Sequence, residues 1–388
     1  MGKYNFDQII NRKNSDSLKY GVLKDRFGRD DLLPLWVADM DFLSPPEITQ
    51  ALAQRVEEGV FGYSYASSDY YQSIINWQKK QHQWEVKKEE ISYIPGVVKG
   101  IAFVLEVFSE KDDQIIIQPP VYHPFRIISS LHDREVINNP LIFNGEQYQM
   151  DIDGLEKLIT HKTKILILSN PHNPGGRVWS KEELTRLAEI CYKHKVLVIS
   201  DEIHSDLVLY GKKHIPFASV SEEAAQNSIT LNAPSKTFNI AGIVTSYSII
   251  KNKQLREKYH KYLISSELND GTIFAYLALQ AAYEKGEDWM IELKAYLEKN
   301  IKFVDEYLKK NIPQIKVIIP EASFLLWLDC RDLNLTQAQL TSLFINEAHL
   351  ALNDGAMFGK EGKGFMRLNI GCPQSVLEKA LQQLKESV

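Results

Sequence analysis

The sequence predicts an α/β protein: a mainly parallel sheet flanked by helices, with a smaller α+β domain at its C-terminal end. Three observations carry this expectation. Between about residues 90 and 250, short apolar runs alternate with helical stretches. These runs are apolar at successive positions, which marks strands buried on both faces, as in a parallel sheet covered by helices. Beyond a helix-rich stretch from Ile273 to about Asn311, the strand-like runs gather near the C-terminus instead. A chain of 388 residues also exceeds one small core, so two domains are expected.

Residues 1 to about 45 read as irregular, ending in Pro34-Leu35-Trp36-Val37-Ala38-Asp39-Met40-Asp41-Phe42 and then Pro45-Pro46. That composition suits an arm lying on another part of the chain. Helical patterns run from Pro46 to about Glu58 and from Asp69 to Trp84. The clearest strands are Gln114 to Gln118, Lys164 to Ser169, Val196 to Ser200 and Ser228 to Leu231, with a further apolar stretch from Ile243 to Ile250. Later, Lys316 to Ile319, Phe324 to Asp329 and Phe365 to Ile370 read as strands, and Gln374 to Ser387 as a closing helix. The expected division is an N-terminal arm that shares in the small domain (1–45), a large domain (46–285) and a small C-terminal domain (286–388).

Hydrophobic residues make up 44% and charged residues 24%, the balance of a soluble globular protein. A net charge of -5 argues against a nucleic-acid surface as the main function. Cys191, Cys330 and Cys372 lie far apart, without paired spacing, so neither a disulfide framework nor a metal site is expected. The polar start shows no secretory signal, and no apolar run is long enough to span a bilayer, so a cytoplasmic location without membrane partners is expected.

In an open parallel sheet, ligands bind beyond the carboxyl ends of the strands. Tyr122 follows the first clear strand, Asn173 the second, Asp201 the third, and Lys236 the fourth. Lys236 sits in Asn232-Ala233-Pro234-Ser235-Lys236-Thr237-Phe238-Asn239, where a strand gives out into a turn of small residues. Most lysines are solvated surface charges, but an interior lysine loses its proton readily and reacts with carbonyls. Singly, each group has a structural explanation; Asp201, for instance, suits a helix cap. Together they match the needs of pyridoxal 5'-phosphate (PLP). Lys236 would take the aldehyde, Asp201 would keep the pyridine nitrogen protonated, Asn173 would donate to the ring hydroxyl, and Tyr122 would cover a ring face. At about 3 Å and an effective dielectric near 20, the attraction from Asp201 is on the order of 5 kcal/mol before desolvation. A phosphate cradle is also legible: Pro95-Gly96-Val97-Val98-Lys99-Gly100 precedes the helical pattern Ile101 to Phe108, offering backbone N–H groups to an anion.

Four runs carry a more specific likeness: Pro171-His172-Asn173-Pro174-Gly175-Gly176-Arg177, Asp201-Glu202-Ile203-His204-Ser205-Asp206, Ser235-Lys236-Thr237-Phe238-Asn239 and Met366-Arg367-Leu368-Asn369-Ile370-Gly371. With them the chain resembles fold-type I, class I/II aminotransferase-like PLP enzymes. Trp36 to Phe42, Phe61-Gly62-Tyr63-Ser64-Tyr65 and Leu352 to Gly359 narrow the likeness to the cystathionine β-lyase or C–S lyase subgroup (MalY/PatB type). The resemblance covers nearly the whole chain. It implies a catalytic set of Lys236, Asp201 and Tyr122, and a substrate α-carboxylate held by Arg367 with help from Ala38, Asn173 and Tyr63. The cofactor contacts would be completed by Gly96, Val97, Val98, Ser235, His204 and Tyr63. Tyr63 would arrive from a neighbouring subunit, implying a homodimer with shared sites. His204 stands where many aminotransferases have a tyrosine, and Val244 where many have a phosphate-binding arginine. His204 is expected to be a hydrogen-bonded supporting residue.

The reaction implied is α,β-elimination from a sulfur-bearing L-amino acid: Lys236 takes the Cα proton and a thiol leaves from Cβ. L-Cystathionine would give homocysteine, pyruvate and ammonia; L-cysteine would give hydrogen sulfide. Two rivals use the same residues: an aminotransferase of L-amino acids, and a regulatory protein that retains the PLP fold. A nicotinamide dehydrogenase would need a glycine fingerprint after its first strand, and none is present.

Overall fold

The computed structural model describes residues 2–388. Its larger sheet has seven strands: β1 (Ile91–Ile94), β2 (Gln114–Ile117), β3 (Glu135–Asn138), β4 (Thr163–Ser169), β5 (Leu197–Asp201), β6 (Ser228–Asn232) and β7 (Ser246–Ile249). They lie in the order β1-β7-β6-β5-β4-β2-β3. β7 runs antiparallel to both its neighbours, and the remaining pairs are parallel.

Side-chain alternation explains the continuous apolar runs. Ile115, Ile117, Ile165, Ile167, Leu197 and Ile199 share one face, whereas Ile116, Leu166, Leu168 and Val198 turn to the other. Both faces are therefore buried. The longer helices are α1 (Pro46–Glu57), α2 (Ser68–His82), α3 (Val97–Phe108), α4 (Pro124–Leu131), α5 (Lys181–Lys193), α6 (Lys253–Ser265), α7 (Ile273–Lys285), α8 (Glu287–Asn311) and α9 (Gln374–Ser387). Val104 of α3, Phe125 of α4 and Leu263 of α6 cover the first face; Leu184, Leu187 and Cys191 of α5 cover the second.

A second, antiparallel sheet contains β8 (Lys316–Ile318), β9 (Leu325–Asp329), β10 (Asn353–Asp354) and β11 (Phe365–Asn369), ordered β8-β9-β11-β10. Leu326, Leu328, Met366 and Leu368 belong to the same core as Leu297 and Ile301 of α8 and Leu377 and Leu381 of α9. Both predicted layers are thus present.

Two details differ from the sequence expectation. The first 45 residues are not wholly irregular: Leu18–Gly21 and Leu23–Phe27 form short helices, and Leu33–Pro34 pairs in parallel with Leu350–Ala351. Four or five residues are too few to display a helical period. This segment packs on another part of the chain, and Asn369 N–H donates to the Leu35 carbonyl at 3.0 Å. Strands β1 and β10 were not singled out from the sequence, and neither was β3. It is an edge strand with exposed Glu135 and Asn138, so it lacks the apolar run of a central strand. Among the described residues, no helix is long and apolar enough to cross a membrane.

Candidate active site

The register of the large sheet sets its carboxyl rim level. Ser169 pairs with Asp201, and Asp201 with Leu231, so the segments after β4, β5 and β6 emerge side by side. The turn after β6 is closed by Phe238 N–H to the Pro234 carbonyl (2.9 Å) and Ile240 N–H to the Ser235 carbonyl (3.0 Å). This places Lys236 inward, where its Nζ donates to the Ala38 carbonyl at 2.6 Å. Burial pushes the amine down to about 8, helped by nearby Arg367 and opposed by Asp39 and Asp201.

The Ala38 carbonyl is itself held from both sides. Asn369 Nδ2 donates to the carbonyls of Val37 and Asp39, each at 2.6 Å. Asn239 accepts from Met40 N–H at 2.9 Å and donates to the Met40 and Phe42 carbonyls at 2.9 and 2.8 Å. Arg12 grips Asp39 and Asp41, and fully buried Lys19 reaches Asp41 at 2.6 Å. Asn239 and Asn369 lay inside the sequence motifs, but the sequence reading assigned them no role.

Lys236 opens into a cavity of about 330 Å³, lined also by Ala38, Tyr122, Asn173, Asp201, His204 and Ser235. Gly96, Val97 and Val98 form part of its wall at the start of α3. Gly96 has φ 120°, a conformation reserved for glycine, and a Cβ there would meet nothing within 4 Å. The turn therefore faces open space, and the first N–H groups of α3 stand at the positive end of the helix dipole, an arrangement that suits an anion. Pro95, Lys99, Ser169, Ile203, Ala241 and Val244 complete the lining. Val244 is left-handed at φ 57°, an outlying conformation for a β-branched residue.

Asp201 is buried, and Ile203 N–H donates to its Oδ1 at 3.2 Å. Desolvation pushes the carboxyl up to about 7, against that hydrogen bond and the charge of Lys236. Asn173 Oδ1 accepts from Arg367 Nη1 at 3.1 Å, which leaves its Nδ2 to donate elsewhere. Arg367 is not part of the lining but stands buried beside it, donating also to Asn353 Oδ1 (2.6 Å) and the Trp36 carbonyl (3.2 Å). Burial lowers its guanidinium to about 10. Tyr122 is likewise raised by burial.

The His204 side chain makes no hydrogen bond within the chain. Its Nδ1 is buried without a partner, and burial, then Lys236 and Arg367, lower the imidazole to about 3, so the ring is neutral. Tyr63 lies outside the cavity altogether, fully exposed on the loop between α1 and α2.

The family model for aminotransferase class I and II matches residues 30–384. The chain belongs to that family. It is 41% identical to cystathionine beta-lyase PatB of Bacillus subtilis over 99% of this chain and 100% of the relative. A PLP-bound chain from Clostridium difficile 630, provisionally assigned as an aminotransferase, is 41% identical with a TM-score of 0.97, covering 99% of both chains. The PLP-bound C-S lyase of Staphylococcus hominis is 33% identical with a TM-score of 0.91, over 99% of this chain and 98% of the other.

Proposed function

We propose that this chain binds PLP and catalyses α,β-elimination from L-amino acids bearing sulfur at Cβ, with L-cystathionine as substrate and L-cysteine as a further one. The observation that carries the reading is Lys236: a buried amine lowered to about 8 that shares one cavity with Asp201 and an anion cradle. The residues fit the cofactor. Its phosphate suits the α3 N–H groups, Gly96 and Ser235; its ring nitrogen suits Asp201; and its hydroxyl suits Asn173 Nδ2. Tyr122 covers the ring, and His204 Nδ1 is a buried polar atom available to it.

When bound, PLP supplies an aldehyde for the substrate amine and a ring that accepts the electrons left at Cα. Arg367 holds the substrate α-carboxylate in its planar fork, with its orientation fixed by Asn173 and Asn353. Lys236 Nζ, deprotonated in an appreciable fraction near neutral pH, takes the proton from Cα. The thiol departs from Cβ with a proton, and water converts the three-carbon remainder to pyruvate and ammonia. Relatives named as cystathionine β-lyase and C-S lyase favour elimination over transamination.

The same reading includes a homodimer in which exposed Tyr63 completes the site of a partner. It also includes a division into an arm (1–45), a cofactor-binding domain (46–285) and a small domain (286–388). The test is PLP-loaded protein mixed with L-cystathionine and no keto acid. Equal, catalytic release of pyruvate and thiol is expected. Amino transfer only after a keto acid is added would move the chain to the aminotransferases, and silence in both assays would favour the regulatory reading.

A further inference from the structure

A second cavity, of about 220 Å³, adjoins the first, and Tyr122 lines both. It is smaller than the roughly 300–1,000 Å³ of a complete small-molecule site and suits a fragment of a ligand. His123 and Arg126, at the start of α4, form one side; Phe358, Lys360 and Glu361, in the turns after β10, form the other. The two segments are tied by Val121 N–H donating to the Phe358 carbonyl at 2.9 Å. Arg367 lies over the Phe358 ring at 4.9 Å, so the cavity borders the residue assigned to the substrate carboxylate.

The polar groups of this cavity are unusual in having no partners. Glu361 Oε1 and His123 Nδ1 are buried without a hydrogen bond. Unpaired surface cations are ordinary, but a buried carboxylate oxygen without a donor is costly and calls for an explanation. Among the described residues, neither Arg126 nor Lys360 forms an ion pair, although both line the same space as Glu361. Burial, then the charges of Arg367, Arg26 and Arg126, lower His123 to about 4, so the ring is neutral at neutral pH. The cavity therefore presents two cations, one carboxylate and a neutral imidazole.

We propose that this cavity is a subsite for the distal amino-acid head of the substrate, with Glu361 accepting from its ammonium and Arg126 and Lys360 binding its carboxylate. This rests on the lyase reading and adds to it the residues that would meet the leaving half of L-cystathionine, which L-cysteine and S-alkyl cysteines lack. Tyr122, shared by both cavities, forms the common wall past which the thioether chain runs.

The test is binding, measured by calorimetry on PLP-loaded protein with two ligands that have no sulfur to expel. 2,7-Diaminooctanedioate has the cystathionine skeleton with carbon in place of sulfur; 2-aminooctanoate has the chain without the distal head. The wild type is expected to prefer the diacid by at least about 10-fold, which corresponds to about 1.4 kcal/mol. Arg126→Gln and Glu361→Gln should each reduce that preference several-fold, and the double variant should reduce it further than either. Equal affinities in the wild type, or a preference unchanged in the double variant, overturns the subsite. Binding of the monoacid reports that each variant is folded and loaded. Because neither ligand needs turnover, failure of the elimination assay would remove the lyase reading separately from this one.

Discussion

Asp201 and Asp206 are both buried carboxylates flanking the turn of Lys236, yet they are held in opposite ways. Asp206 Oδ1 accepts from Trp77 Nε1 at 2.9 Å and pairs with His82 Nε2 at 3.0 Å, while Oδ2 accepts from Thr237 Oγ1 at 3.0 Å. Burial alone would raise it, but these partners, His82 foremost, bring it below its ordinary value. Asp201, with little support from its own chain, is raised by burial to about 7. The scaffold satisfies Asp206 and leaves Asp201 for a ligand. Thr237, next to Lys236, donates to Asp206, so the turn that carries Lys236 is anchored on the satisfied carboxylate.

Three variants sharpen or break that contrast. The largest effect is expected at Lys236, which belongs to the reacting side. Lys236→Ala should lower elimination by more than about 10⁴-fold and remove the absorbance of covalently held cofactor. Near-normal turnover, followed as pyruvate release, would sink the cofactor assignment. Next comes Asp201→Asn, expected to lose about 10²–10³-fold in rate while stabilising the cofactor-free protein. The folded carboxyl is raised, so its cost is absent below pH 3.8 and grows until about pH 7. Stability of cofactor-free wild type should accordingly fall across that range by a few kcal/mol at most, and the variant should lack the slope in urea titrations. Lys236 acts oppositely, its cost being relieved as pH rises from about 8 toward 10.5. A shared slope in both proteins would refute the unsatisfied state of Asp201.

The smallest effect belongs to the scaffold side. Asp206→Asn should cost about 1–3 kcal/mol of stability by weakening a buried network. A depressed folded pKa means that the stabilisation is full above pH 3.8 and is lost as pH falls through the folded value. The variant should therefore show a weaker acid transition in melting experiments. Equal melting of variant and wild type at pH 7 would mean that Asp206 supports nothing.

Much of the Lys236 cavity was legible because its residues follow strands, and a strand's carboxyl end can be read from where its apolar run stops. Tyr122, Asn173, Asp201 and Lys236 were found in this way. The support behind them was not. His82 and Asp206 meet across 124 positions, and Arg367 and Asn173 across 194, separations that leave no periodic trace. Adjacent residues also mislead. Asp201 and Glu202 read as one motif, but Glu202 turns away to accept from Ser200 Oγ and Phe217 N–H and to meet His214. The smaller cavity combines residues near 123 with residues near 360, and spacing could not join them.

The Ala38 carbonyl that receives the Lys236 amine has a consequence for the order of synthesis. A chain leaves the ribosome N-terminus first, so Ala38 emerges early and Lys236 much later. Asn369, which holds the carbonyls on either side of Ala38, emerges later still. A nascent chain that already displays Lys236 therefore lacks the clasp that holds the Ala38 carbonyl in place. That contact is completed only after Asn369 has followed.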